Sequence, residues 1–141
     1  NPNAHLFKFA DISVLLETPP EIISGSTRLG AATAQKVALN LMSSLMGLRL
    51  GNVYDGMMVG VVADNDKLRN RARSIVSTIA QVSTVKAEDS LSSAGGSVKT
   101  AVLIALGASP MNASRFLQEE RGLLRNAIAR VLCDNYNNKC S

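Results

Sequence analysis

Glu21, Gly25, Ser26, Thr27, Arg28 and Lys36 are the residues whose types and order could do chemistry. Gly25-Ser26-Thr27-Arg28 is a small polar turn placed after Pro19-Pro20 and before an alanine-rich apolar run. A loop opening onto a helix in this way attracts anions, phosphate above all, because the first helical turn has unpaired N–H groups and the positive end of the helix dipole. Ser26 and Thr27 add hydroxyl donors, and Arg28 adds a planar, permanently charged fork. The plainer alternative is that Ser26 or Thr27 caps the helix while Arg28 points at water.

These residues need elements to hold them. Ala10 to Leu16 is a short apolar run rich in β-formers that reads as a buried strand ended by the Pro19-Pro20 pair. Such a strand needs parallel neighbours, and no other segment offers them, so it reads as the last strand of a sheet. From Gly30 to Leu50 the apolar positions Val37, Leu41, Met42, Leu45, Met46 and Leu48 recur at helical spacing, and Gly51 is a natural C-cap. Met42, Met46, Met57 and Met58 read as adaptable core filler. His5, the sole histidine, has no second ligand or nucleophile beside it and reads as a loop or packing residue.

The loop resembles the signature shared by bacterial N-acetylmuramic acid 6-phosphate etherases and the glucokinase regulatory protein, roughly G-P-E-x-(I/V)-x-G-S-(S/T)-R-M-K-x-G-(T/S)-A-x-K. The matching residues are Pro20, Glu21, Ile23, Gly25, Ser26, Thr27, Arg28, Thr33, Ala34 and Lys36, with Asn40 to Ser43 continuing the pattern. The departures are Pro19 for Gly, Leu29 for Met, Gly30 for Lys and Ala32 for Gly, and the third removes a positive charge beside the anion site. The resemblance implies a sugar isomerase (SIS) phosphosugar-binding fold: a mainly α chain carrying the last strand and long helix of an α/β sandwich, followed by a small ubiquitin-associated-like helical module. It implies the C-terminal portion of a carbon-oxygen lyase that cleaves the D-lactyl ether of N-acetylmuramic acid 6-phosphate in peptidoglycan recycling. On that reading Glu21, Gly25, Ser26, Thr27, Arg28 and Lys36 bind the sugar phosphate. No metal or redox cofactor is required, a homodimer is expected, and the catalytic acids lie upstream, leaving this chain inactive alone. A non-catalytic sugar-phosphate sensor and a helical protein-interaction module are the other readings.

Beyond Gly51 the segment to Ala63 reads as a connector with a short extended piece, and its Met-Val-x-Val core followed by Asn65, Lys67 and Leu68 also resembles the etherases. Asp64 or Asn65 caps a helix over about 66 to 81 with Leu68, Ala72, Ile75, Val76 and Ile79 on one face. A shift of 26 residues then aligns Ala87 with Ala113, Leu91 with Leu117, Gly96 with Gly122, Val98 with Leu124, Lys99 with Arg125 and Ala101 with Ala127. The repeat predicts two helix-turn-helix units, with first helices starting near Thr84 and Pro110 and second helices over about 97 to 107 and 123 to 132. Their shared core would be Leu91, Val98, Val102, Leu106, Phe116, Leu117, Leu124 and Ile128. The organisation expected is therefore an SIS-like part over 1–63, a helical module over 64–133 and a flexible tail over 134–141.

Composition limits the partners. The hydrophobic fraction is 46%, with no apolar run long enough to span a membrane. No signal peptide is visible, and Cys133 and Cys140 have no metal-ligand spacing and read as reduced thiols, so the expected compartment is the cytoplasm. The formal charge of +4 raises the question of nucleic acid. The densest cluster, Lys67, Arg69, Arg71 and Arg73, steps around a helix instead of lining one stripe, and aromatics are only 4%, so no nucleic-acid partner is expected.

Overall fold

A computed structural model describes residues 3–137, and Cys140 lies outside them. Among the described residues, six α-helices, a short 3-10 helix at His5–Phe9 and one minimal hairpin make up the regular structure: α1 Gly30–Arg49, β1 Val53–Tyr54, β2 Met57–Met58, α2 Asp66–Ala80, α3 Thr84–Ser93, α4 Val98–Ala105, α5 Pro110–Glu119 and α6 Leu124–Asn137. The chain is thus mainly helical. Two compact units are present, Asn1–Met46 and Gly47–Ser141. Residues 47–63, which the sequence grouped with the N-terminal part, therefore cluster with the helices that follow them.

In the first unit a 3-10 turn at His5–Phe9 brings the His5 ring to 5.5 Å from that of Phe9, the two tilted at 54°. The expected strand over Ala10–Leu16 is not there: these residues carry no ladder, and Ile12 and Val14 are 85% and 66% exposed. A strand exists through its hydrogen-bonded neighbour, and among the described residues the only ladder strands, β1 and β2, pair with each other. Helix α1 forms where the periodicity placed it, but it buries no residue. Met42 and Met46, expected as core filler, are each 59% exposed.

The second unit holds the core. Asp55 and Gly56 both adopt positive φ (44° and 76°), the type I′ geometry that closes β1 onto β2 in register Val53↔Met58 and Tyr54↔Met57. Asn65 caps α2 by accepting the Leu68 N–H at 3.0 Å, and Ala72, Ile75, Val76 and Ala80 form its buried face. The 26-residue interval of the sequence recurs in three dimensions. Helices α3 and α5 begin and end 26 residues apart, Ser83 and Ser109 cap them by accepting the Lys86 and Asn112 N–H groups, and Gly96 and Gly122 turn with φ 82° and 77°. Ala87, Ala113, Ala101 and Ala127 are all fully buried, since helices at close approach leave space only for a methyl.

Helix α4 is the centre of this unit and touches α2, α3, α5 and α6. Val98, Ala101, Val102, Leu103 and Ala105 are buried around it, which is why its sequence is apolar on nearly every side. Of the expected core, Leu91, Val98, Val102, Phe116 and Leu124 are buried, while Leu106, Leu117 and Ile128 are partly buried against it. The cluster also takes in α2 and, from the connector, Val59 and Ala63. Helix α6 continues to Asn137, five residues beyond the end expected from the repeat.

The half-buried Lys99 at the start of α4 donates from Nζ to the Gly122 carbonyl at 2.8 Å, tying the first repeat to the turn of the second. Burial holds its pKa below the usual lysine value. The charged form is therefore disfavoured by folding, and this residue's contribution to stability improves as pH rises through the folded value toward about 10.4. Lys99→Met is expected to lower the unfolding free energy by about 1 kcal/mol, the net worth of one such hydrogen bond. Urea denaturation at neutral pH measures this, and an unchanged midpoint would remove the tie between the repeats.

Candidate functional site

The loop that precedes α1 is built by its own small residues. Ser26 N–H donates to the Ile23 carbonyl at 3.0 Å across a turn in which Gly25 takes φ +76°, a region open to glycine at no steric cost. Ser26 Oγ then accepts the Arg28 N–H at 3.2 Å. The Ala32 N–H donates to the Thr27 carbonyl at 3.1 Å and the Thr33 N–H to the Leu29 carbonyl at 3.0 Å, which winds the chain into α1.

Glu21, ten residues upstream, folds back onto this entrance. Its Oε1 accepts the Ala31 N–H at 3.1 Å, and a Cβ placed on Gly30 would lie only 3.6 Å from the same oxygen. The amides of Gly30, Ala31 and Leu29 hold its carboxyl below the usual glutamate range. A carboxylate of the protein itself thus sits where the helix dipole and the unpaired amides are most attractive to an anion.

The other named residues are placed differently. Gly25, Thr27 and Arg28 are exposed and Ser26 is half-exposed. Arg28 makes no ion pair among the described residues, so its guanidinium is open to a ligand. Lys36 lies exposed on α1, six residues and about 9 Å of axial rise beyond Gly30, and makes no hydrogen bond to the loop. The loop thus gathers two hydroxyls and a guanidinium within three consecutive residues, with Glu21 filling the adjoining helix entrance. Sequence spacing gave no hint of this use of Glu21, since capping rules look three residues away and not ten.

Several charged groups elsewhere are neutralised locally. A surface cleft of about 550 Å³ between α5 and α6 is lined by Arg115, Phe116, Glu119, Arg130 and Cys133. Arg115 and Arg130 stand over the Phe116 ring at 5.0 and 5.9 Å; both pair with Glu119, and Arg130 also with Glu120 at 3.4 Å, so two cations are matched by two carboxylates. In the basic cluster of α2, Arg69 faces Asp66 at 3.9 Å and Arg73 faces Glu88 at 3.6 Å. Arg125 lies 4.7 Å over the Tyr54 ring and binds Asp55 at 2.5 Å, a clasp on the hairpin that the Asp-Gly pair could have announced. Among the described residues no helix is long and apolar enough to cross a membrane.

Comparison with known proteins bears directly on the loop. No family model matches the chain. It is 47% identical over 129 residues to the N-acetylmuramic acid 6-phosphate etherase of Deinococcus radiodurans, a match covering 91% of this chain and 42% of that relative. The chain is similar to part of the N-acetylmuramic acid 6-phosphate etherases. The etherase of Pseudothermotoga lettingae is 41% identical over 123 residues (87% of this chain, 41% of the relative), and that of a Geobacillus species 43% over 129 (91% and 44%). The chain therefore spans less than half the length of these curated etherases. The likeness extends through the helical repeat as well as the loop, since about nine-tenths of the chain is covered.

Proposed function

We propose that this chain is the C-terminal portion of an N-acetylmuramic acid 6-phosphate etherase-like lyase and supplies part of its sugar-phosphate site. The observation that carries this reading is the identity of 47% with a protein of that name over nine-tenths of the chain. The loop chemistry agrees with it: Ser26 and Thr27 offer hydroxyl donors and Arg28 an unpaired guanidinium, the groups a phosphate monoester needs. Lys36 adds a charge along α1 and Gly25 makes the turn, while Glu21, also expected among the binding residues, lies on the α1 amides beside them.

The reaction proposed for the intact protein is removal of the proton at C2 of the sugar, elimination of lactate from C3, and addition of water to the resulting double bond. It needs one carboxylate to take the proton and one carboxylic acid to protonate the leaving oxygen. In this chain Glu119 pairs with Arg115 and Arg130, Glu120 with Arg130, and Glu88 with Arg73, so none of them is free for that work. The role proposed for this part is to anchor the phosphate so that C2 and C3 are held still.

The same resemblance supports an SIS-type sandwich completed by further strands, a ubiquitin-associated-like helical module, a homodimer and a cytoplasmic setting. The exposed apolar side chains of α1, among them Val37, Leu41, Leu45 and Met46, each more than half exposed, are what such a covering layer would bury.

Lactate release from N-acetylmuramic acid 6-phosphate by the intact protein is the test. Stoichiometric lactate and N-acetylglucosamine 6-phosphate are expected, with none from residues 1–141 alone. Tight sugar-phosphate binding by the intact protein without lactate would replace the lyase by a regulatory sensor.

A further inference from the structure

The entrance to α1 is where a phosphate would ordinarily be sought, and the protein has already put an anion there. We propose that Glu21 is a positioning residue that closes the amide end of α1 to ligands, so that the sugar phosphate is held by the Ser26 and Thr27 hydroxyls and the Arg28 guanidinium and not by the first-turn amides. This rests on the phosphosugar reading for its second half and on geometry alone for its first.

Of the donors at the entrance, the Ala31 N–H donates to Glu21 Oε1 at 3.1 Å, Ala32 to the Thr27 carbonyl, and Arg28 to Ser26 Oγ. Gly30 lies against the same carboxylate, its Cβ direction ending 3.6 Å from Oε1. A phosphate arriving at this end would have to displace a tethered carboxylate already bonded to the amides it would use, and until then would meet like charge. The donors left over are the Ser26 O–H, whose oxygen accepts from Arg28 while its hydrogen is free to donate, the Thr27 O–H and the Arg28 guanidinium. The consequence for specificity is that these side chains, and not the helix end, select the ligand. Glu21 itself would touch no substrate.

The test is a titration of the 15N-labelled chain with inorganic phosphate, followed at the Leu29, Gly30 and Ala31 amides and at the Arg28 Nε. In the unaltered protein the Gly30 and Ala31 amides are expected not to respond. In Glu21→Ala they should, with an apparent Kd tighter by about two- to fivefold, the order of one helix-end charge. Glu21→Gln, which keeps an acceptor oxygen without the charge, should fall between the two, and far-UV circular dichroism checks that α1 persists in each.

Equal responses of these amides in the unaltered protein and in Glu21→Ala would overturn the proposal, because phosphate would then be displacing the carboxylate freely. So would an absence of response in Glu21→Ala, since Glu21 would then be guarding nothing. Arg28 Nε reports separately: if it ignores phosphate in every variant, the phosphosugar reading of the loop fails while the role of Glu21 at the helix entrance stands on the amide result.

Discussion

Leu103→Ala is expected to lower the unfolding free energy of the helical unit by about 3 kcal/mol, within the range of about 2 to 5 for truncating a buried leucine. Leu103 is fully buried and is the largest of the side chains with no exposure. It belongs to α4, which touches four other helices, so the space left by the lost methyls cannot collapse from any open side. Loss of transfer free energy and a retained cavity therefore add. The neighbouring Ile104, only partly buried on the same helix, supplies the comparison: Ile104→Ala should cost clearly less. Urea denaturation measures both, and the slope should stay unchanged if the unfolded state is unaffected. A loss below about 1 kcal/mol at Leu103 would mean that α4 is not the packed centre.

In the intact protein, Arg28→Ala is expected to reduce kcat/KM for N-acetylmuramic acid 6-phosphate by about 10- to 100-fold, the worth of a charge-assisted bond to a phosphate. The effect should fall mainly on KM, because a phosphate remote from the broken bond is held equally in ground and transition states. Stability should barely change, since the guanidinium is exposed and makes no ion pair among the described residues. Arg28→Lys should recover only part of the loss, as an ammonium cannot present a planar fork. A kcat/KM within twofold of the unaltered enzyme would remove Arg28, and with it the loop, from the substrate site.

The carboxylate of Glu21 gives this region a pH signature. Its pKa is depressed by the amides of Gly30, Ala31 and Leu29, so what it adds to the start of α1 is present above about pH 4.3 and is lost as pH falls through the folded value.

Residue spacing alone sufficed for much of this molecule. Local rules act within a turn or two of chain, and α1, the Asn65 cap on α2, and the twofold recurrence of capped helix, glycine turn and helix at a 26-residue interval all follow from such rules. The two hydroxyls and the guanidinium that Ser26, Thr27 and Arg28 offer were equally plain, being a matter of residue type. What required tertiary structure were the relations between residues far apart in the chain. The run Ala10–Leu16 has strand composition but no ladder, because pairing depends on a neighbour and not on propensity. Leu103 became fully buried only when helices from before and after it in the chain, α2 and α6 among them, packed on α4. Glu21, one acid among eleven by composition, took possession of the α1 entrance because folding brought a carboxylate across ten residues to amides that had no other partner.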